Sequence, residues 1–260
     1  MQAPLGKKNL QKLARKKYRR EWGLYLLEGV SQVRDALAAG APIREILFSS
    51  ENLQRERDRA LIEAIASHGA VRTELSHTEW KGISDLDTPP GLAVVVAREK
   101  RADPSIPPPE GLTLALDAVA DPGNVGTLLR VAAFYGIAEV WLGEGTVELH
   151  NPKVLRAAMA MHLHVRVCEE VDLQAAISES QQHGAEVFAA DVSGEFGRPQ
   201  PASGSPRILV LGSEAHGLSL PLLERADRRL AIARRGPVDS LNVAVAGAIL
   251  VDRLLADQTE

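Results

Sequence analysis

Three polar stretches each follow an apolar run and carry side chains that could do chemistry. They read DPGNVGTLLR (121–130), GSEAHGLS (212–219) and ARRGPVDSLN (233–242). Such groups can position a substrate through hydrogen bonds and can stabilise charge that develops during a reaction. Together the stretches supply two amides, a carboxylate, a hydroxyl and a guanidinium: Asn124, Asn242, Glu214, Ser240 and Arg130.

Each of these side chains also has an ordinary structural interpretation. Asparagine is common in tight turns, and a carboxylate or guanidinium on a surface often does no more than form a weak salt bridge. Ser240 precedes a predicted helix and would cap its N terminus, a role that is compatible with catalysis. The residue types alone leave both interpretations open.

Several familiar chemistries do not fit these stretches. The Walker A pattern is absent, and a dinucleotide fingerprint that begins at Gly143 and Gly145 has Glu148 in place of its third glycine. Ser213 lacks the G-x-S-x-G frame of a hydrolase elbow. The HExxH pattern is absent too, so no metal is expected, and the histidines at 150, 162 and 164 are interpreted as packing or surface residues.

Composition limits the class of protein. The chain has 260 residues, 45% of them hydrophobic, and one cysteine, Cys168, so it can form a real core but no internal disulfide. No apolar run approaches the ~20 residues that a membrane helix needs. No apolar segment follows the basic N terminus, as it would in a secretory signal. We therefore expect a cytoplasmic protein without a membrane partner.

The order of predicted elements indicates two α/β domains. Strands and helices alternate over 24–97 and again from 112 onwards, which predicts a mostly parallel sheet in the second part. Between them, ADPSIPPPEG contains four prolines within six positions and predicts a linker. The predicted organisation is a basic arm (1–20), a small α/β domain (21–98), a linker (99–110) and a larger α/β domain (111–260).

Charge is distributed unevenly along the chain. The net charge is −4, but residues 1–20 carry eight basic residues and no acid, so the remainder carries −12. A basic arm on an acidic body is typical of polyanion binding, although a solvated, frayed terminus would look the same. The candidate RNA contacts in this arm are Lys12, Arg15, Lys16 and Arg19.

The three polar stretches, in this order and at these distances, resemble the motifs of the SpoU or TrmH-like family of ribose 2′-O-methyltransferases, within the SPOUT class. HNPKVLRAAMAMHLHV (150–165) is similar to the family's intermediate segment, and LEGVSQVRDALAAGAPIREILFSSE (27–51) to its small RNA-binding domain. The resemblance implies a C-terminal trefoil knot, S-adenosylmethionine as methyl donor, and a homodimer whose active site is completed near the subunit interface.

The same resemblance implies roles for individual residues. Arg130 matches the catalytic arginine, and Asn124, Glu214, Ser240 and Asn242 match residues that position it or the substrate. Gly212, Ile232 and Leu241 match the positions that contact the donor. The sequence departs from the family at Ala233-Arg234-Arg235, where the usual proline and methionine are missing.

These observations predict S-adenosylmethionine-dependent methylation of a ribose 2′-hydroxyl in RNA, with ribosomal RNA favoured by family analogy. Two alternatives stay open. One is a tRNA 2′-O-methyltransferase, and the other is a non-catalytic RNA-binding or assembly protein on the same scaffold.

Overall fold

The computed structural model describes residues 3–53, 56–197, 199 and 204–256. The chain divides into two compact units. Unit 1 comprises 1–100 together with 150–163, and unit 2 comprises 101–149 together with 164–260.

Unit 1 contains a four-stranded sheet in the order β1-β4-β2-β3. Strand β4 is antiparallel to both of its neighbours, whereas β2 and β3 are parallel. Strands β1, β2 and β4 are rich in Leu, Val and Ile and are largely buried. The elements are α1 (Lys7–Lys12), α2 (Lys16–Trp22), β1 (Leu24–Glu28), α3 (Val30–Ala38), β2 (Ile43–Phe48), α4 (Glu56–Ser67), β3 (Val71–Glu74), α5 (His77–Ile83) and β4 (Leu92–Ala97).

The basic arm is folded as part of unit 1. Helix α1 and its C-cap contribute Leu10 and Leu13 to a core cluster that contains Trp80, and Trp22 of α2 packs against the same cluster. The prediction that Arg19 contacts RNA is corrected here. Its side chain is buried, and its Nη1 donates a 2.7 Å hydrogen bond to the carbonyl of Leu13, so it ties α2 to the end of α1. Leu10 and Leu13 lie three residues apart, and both pack into this core cluster. Their burial holds the arm against the core although the arm is highly charged.

Segment 150–163 also packs in unit 1, although the sequence predicts it as part of the larger domain. It forms α7 (Pro152–Ala158) and a short 3-10 helix (Met161–Leu163). Leu155 lies in the same core cluster as β1 and β4. Arg156 donates two hydrogen bonds to the carboxylate of Asp85, at 2.5 and 2.9 Å. In the sequence, this segment lies between two strands of unit 2. Its contacts make it part of unit 1.

Unit 2 is built on a six-stranded, fully parallel sheet in the order β10-β8-β9-β5-β6-β7. Strands β5, β6 and β9 are buried along their whole length, as expected for a parallel sheet that is covered on both faces. The strands are β5 (Leu112–Leu116), β6 (Glu139–Gly143), β7 (Arg166–Val171), β8 (Glu186–Phe196), β9 (Arg207–Leu211) and β10 (Arg228–Ala231). The helices are α6 (Pro122–Phe134), α8 (Leu173–Gln182), α9 (Leu220–Arg225) and α10 (Val243–Leu255).

Strand β8 continues to Phe196, and several residues between it and β9 lie outside the described residues. Residues 101–110 of the proline-rich linker belong to unit 2 and are anchored there. Ser105 donates through its amide and its hydroxyl to the buried carboxylate of Glu139, which also accepts hydrogen bonds from Trp141 and Arg166. Within the described ranges, no helix has the length and apolar character needed to span a membrane.

A buried polar cluster in unit 1 makes its stability sensitive to acid. The ring of His150 lies 4.4 Å from that of Tyr25, whose hydroxyl is 3.2 Å from His162 Nε2. Burial is the main cause that holds the pKa of His150 well below its usual value, and the charge of Arg98 acts in the same direction. The folded protein therefore favours neutral His150.

We expect the free energy of unfolding to decrease as the pH falls below about 6.5, the pKa of an unperturbed histidine. Between that pH and the lower folded pKa, the unfolded chain binds more protons at His150, and the slope reaches at most about 1.4 kcal/mol per pH unit. Urea unfolding of wild type and His150→Gln over this range measures the effect. The substitution should flatten the slope, whereas the exposed-site control His68→Gln should keep it. An unchanged slope in His150→Gln would contradict the assignment.

Candidate active site

The first polar stretch forms the N terminus of α6, directly after β5. Asp121 is the N-cap, and its Oδ1 accepts a 2.9 Å hydrogen bond from the amide of Asn124. Pro122 occupies the first turn, where its missing N–H costs nothing. The cap fixes Asn124 in the first turn of the helix, at the carboxyl end of a central strand.

The second stretch forms a tight loop after β9. Ser213 and Gly217 exchange backbone hydrogen bonds of 3.0 and 2.9 Å, and the amide of Ser219 donates to Asp117 Oδ2 at 2.8 Å. A Cβ on Gly212 would lie 2.2 Å from the carbonyl carbon of Gly217. Any side chain at position 212 would therefore collide with the backbone of the same loop. The closed loop holds Glu214 at its exposed tip.

The third stretch leads into α10, and Asn242 is the N-cap of that helix. Its Oδ1 accepts hydrogen bonds from the amides of Ala244 (2.9 Å) and Val245 (3.3 Å). The prediction that Ser240 caps this helix is therefore wrong, because the helix begins at Val243. A Cβ on Gly247 would lie 2.7 Å from the side chains of Leu128 and Leu211, so this glycine lets α10 pack closely on α6 and β9.

The three loops meet through their polar side chains. Asn124 Nδ2 donates to Glu214 Oε1 at 2.5 Å, and Asn242 Nδ2 donates to Asn124 Oδ1 at 2.8 Å. These bonds fix the orientation of both amides, because each uses its oxygen as acceptor and its nitrogen as donor. Residues 90 and 118 positions apart in the chain thus form one hydrogen-bonded cluster.

This cluster can position a polar substrate and stabilise charge. Glu214 is exposed and keeps a second carboxylate oxygen, which can accept a hydrogen bond from a hydroxyl. Asn124 is half-buried and rigidly held, so its orientation is preorganised. The described part of the chain contains no group of three or more His, Cys, Asp or Glu side chains that could hold a metal ion.

Two of the predicted catalytic residues do not join the cluster. Arg130 and Ser240 are exposed, and neither side chain forms a hydrogen bond or ion pair that is resolved among the described residues. Arg130 lies six residues after Asn124 on α6, which separates them by about 9 Å along the helix axis and by about a third of a turn around it. Within one chain, these two side chains therefore lie on different faces of α6.

The residues predicted to contact the donor follow the ends of β9 and β10. Ile232 is half-buried, Leu241 is 49% exposed, and Gly212 begins the Glu214 loop. The loop between Ile232 and Leu241 is closed by an ion pair of 2.5 Å between Arg234 and Asp239. One of the two unexpected arginines therefore forms an exposed ion pair across this loop.

Two residues with clear structural roles in the site, Asp117 and Asp121, were not among the predicted site residues. Asp121 caps α6 and Asp117 anchors the Glu214 loop. The Asp121-Pro122 pair carries a recognisable signal, an N-cap residue followed by proline at the first helical position. No sequence signal marks Asp117, since its partner Ser219 lies 102 residues away.

Comparison with known proteins identifies both parts of the chain. Residues 111–252 match the model of the SpoU rRNA methylase family, and residues 7–94 match that of an MRM3-like substrate binding domain. The second match includes most of the basic arm, in agreement with its packing in unit 1.

Relatives and solved structures are similar to this chain along nearly its whole length. The chain is 32% identical to the 23S rRNA (guanosine(2553)-2′-O)-methyltransferase RlmP of Bacillus subtilis, over 95% of this chain and 94% of that protein. It is 30% identical to the mitochondrial rRNA methyltransferase 3 of Mus musculus, over 90% of this chain and 68% of that protein.

The crystal structure of an AdoMet-bound rRNA methyltransferase from Sinorhizobium meliloti superposes with a TM-score of 0.84 and 25% identity, covering 98% of this chain and 95% of that one. The family match spans more than half of the chain and includes all three loops of the cluster. The resemblance drawn from the motifs is therefore confirmed, and the chain belongs to the SpoU rRNA methylase family.

Proposed function

We propose that this protein transfers a methyl group from S-adenosylmethionine to a ribose 2′-hydroxyl of ribosomal RNA in the cytoplasm. The observation that carries the proposal is the hydrogen-bonded cluster of Asn124, Glu214 and Asn242. These are three residues that the family motifs single out, and the fold brings them together from three loops. The rRNA methyltransferase relatives favour ribosomal RNA over tRNA as the substrate.

The donor fits the strand ends beside this cluster. Adenine needs an apolar surface, and Ile232 and the exposed half of Leu241 offer one at the same sheet edge as the Glu214 loop. S-adenosylmethionine supplies a sulfonium methyl group, so the electrophile needs no metal. Ile232 and Leu241 would hold its adenine, and the backbone after Gly212 would border it.

The cluster prepares the nucleophile. Glu214 would accept the hydrogen bond of the ribose 2′-hydroxyl through its second oxygen, while Asn124 holds the carboxylate in place. Arg130 would stabilise the negative charge that grows on the 2′-oxygen and would bind the adjacent phosphate. This electrostatic role requires no loss of its proton, which a guanidinium group retains in proteins.

A homodimer would complete the site. Helices α6 and α10 pack against each other, and both expose large apolar side chains. Phe134 is 83% exposed and Val245 is 49% exposed. Phe134 lies one helical turn after Arg130, so both occupy the same face of α6. Association through this face would bury Phe134 and would bring Arg130 of one subunit to the cluster of the other.

Transfer of labelled methyl groups to RNA from cells that lack the protein tests the substrate. The proposal predicts label in ribosomal RNA and none in tRNA. If only tRNA is labelled, ribosomal RNA is not the substrate and the protein is a tRNA methyltransferase. If neither naked RNA nor ribosomal subunits are labelled, and the protein does not bind the donor, the non-catalytic scaffold is favoured. Transfer only to subunits would identify an assembly intermediate as the substrate.

Substitutions at Asn242 separate helix capping from catalysis. We expect Asn242→Ala to lower the stability by about 0.5–2 kcal/mol, because α10 loses its N-cap, and also to lower the transfer rate. Asn242→Asp keeps the capping oxygen but removes the amide donor to Asn124. It should therefore fold with near-normal stability and still transfer slowly. Chemical denaturation and single-turnover transfer measure the two effects. Full activity in Asn242→Asp would exclude the amide donor from the mechanism.

A further inference from the structure

The folded arm of unit 1 presents positive charge on a rigid surface. Lys7 pairs with Glu79, and the amide of Leu5 donates a 2.8 Å hydrogen bond to Glu45 Oε2, so the N-terminal end of α1 is held. The burial of Leu13 holds its C-terminal end. Arg19 is buried and serves the fold. The remaining basic side chains of α1 and α2 are exposed or half-buried: Lys8, Lys12, Arg15, Lys16, Lys17 and Arg20.

Two aromatic rings lie among these charges. Tyr18 and Trp22 are four residues apart on α2, with ring centroids 5.1 Å apart and planes tilted by 39°. The ammonium group of Lys12 is 5.3 Å from the Tyr18 ring and 5.8 Å from the Trp22 ring, and that of Lys17 is 5.7 Å from Tyr18. Both rings are half-buried, so each keeps part of its surface accessible.

This arrangement fits unpaired nucleotides. Ammonium groups bind phosphates without regard to sequence, whereas aromatic faces bind bases by stacking. The bases of a duplex are already stacked on one another and cannot stack on a side chain, so an aromatic platform selects RNA that is single-stranded or looped out. A surface that served only for duplex phosphates would need the lysines and no ring.

We propose that the α1–α2 surface binds an unpaired stretch of the RNA substrate, with a base stacked against the Tyr18–Trp22 pair and the flanking phosphates bound by Lys12 and Lys17. The inference rests on the proposed function for the identity of the RNA.

The tryptophans offer a direct measurement. Of the three in the chain, Trp80 and Trp141 are completely buried, so Trp22 is the one that is partly exposed. The fluorescence of the full-length protein is titrated at low salt with a short oligoadenylate and with an adenylate–uridylate duplex. We expect the oligoadenylate to quench the emission and the duplex to leave it nearly unchanged. The oligoadenylate-dependent change should vanish in Trp22→Phe.

Matched variants at Tyr18 isolate stacking from charge and from folding. Tyr18→Leu should weaken oligoadenylate binding about tenfold, whereas Tyr18→Phe, which keeps the ring, should bind within about twofold of wild type. Equal affinities for the two variants, or binding without quenching, would overturn the stacking proposal and leave a phosphate surface. Equal quenching by the duplex would overturn the preference for unpaired RNA.

The two proposals fail in distinguishable ways. If ribosomal RNA is methylated but oligoadenylate does not quench Trp22, the recognition surface is wrong and the proposed function stands. If no RNA is methylated and the donor does not bind, yet oligoadenylate quenches Trp22, the enzyme assignment fails and the RNA-binding surface stands.

Discussion

Arg130→Ala is expected to lower the rate of methyl transfer by about 10²–10³-fold, the usual effect of removing one group that stabilises developing charge. Binding of S-adenosylmethionine should stay within a few-fold of wild type, because Arg130 is assigned to the 2′-oxygen and the phosphate of the RNA, whereas Gly212, Ile232 and Leu241 are assigned to the donor. Single-turnover transfer and calorimetric titration with the donor measure the two quantities.

The control for this prediction is Arg130→Lys. Lysine keeps the charge but loses the planar, two-pronged donor geometry of guanidinium. It should recover part of the rate that alanine loses. A variant Arg130→Ala with near-normal turnover would contradict the assignment of Arg130, and a parallel loss of donor binding would indicate a structural role.

A second large effect is expected from mixed dimers of two inactive variants. Arg130→Ala and Asn124→Ala should each be inactive as homodimers. If Arg130 acts on the cluster of the opposite subunit, a purified heterodimer contains one intact site, with Asn124 from one chain and Arg130 from the other. Such a heterodimer should regain about half of the wild-type activity, because one of its two symmetric sites is complete.

The matched control places both substitutions in one chain and pairs it with a wild-type chain. Completion across the interface predicts that this heterodimer is inactive, since each of its sites contains one substitution. Completion within one chain predicts the reverse for both heterodimers. An active control together with an inactive mixture of single variants would therefore exclude the proposed interface.

The cluster was predictable because local patterns marked all three loops. The stretches that carry Asn124, Glu214 and Asn242 come after β5, β9 and β10, and the ends of parallel strands lie at one edge of a sheet. The distances between the loops and the hydrogen bonds among them were not predictable, because they depend on contacts between residues about 100 positions apart.

Other elements escaped prediction for identifiable physical reasons. Strand β7 reads RVCEEV and has no continuous apolar run, since its charged residues face solvent or lie at the sheet edge. The arm was interpreted by its charge, although Leu10 and Leu13 bury it in unit 1. The position of 150–163 in unit 1 rests on long-range contacts, such as that of Arg156 with Asp85, that no local pattern contains.

The chemical position of the transferred methyl group tests the central claim most directly. After transfer of labelled methyl from S-adenosylmethionine, the RNA is hydrolysed with alkali, which cleaves only next to a free 2′-hydroxyl. The geometry around Asn124, Glu214 and Asn242 predicts label in alkali-resistant dinucleotides of ribosomal RNA, and its loss in Arg130→Ala. Label recovered in mononucleotides would mean that a base is methylated, and would contradict the ribose as the site of the reaction.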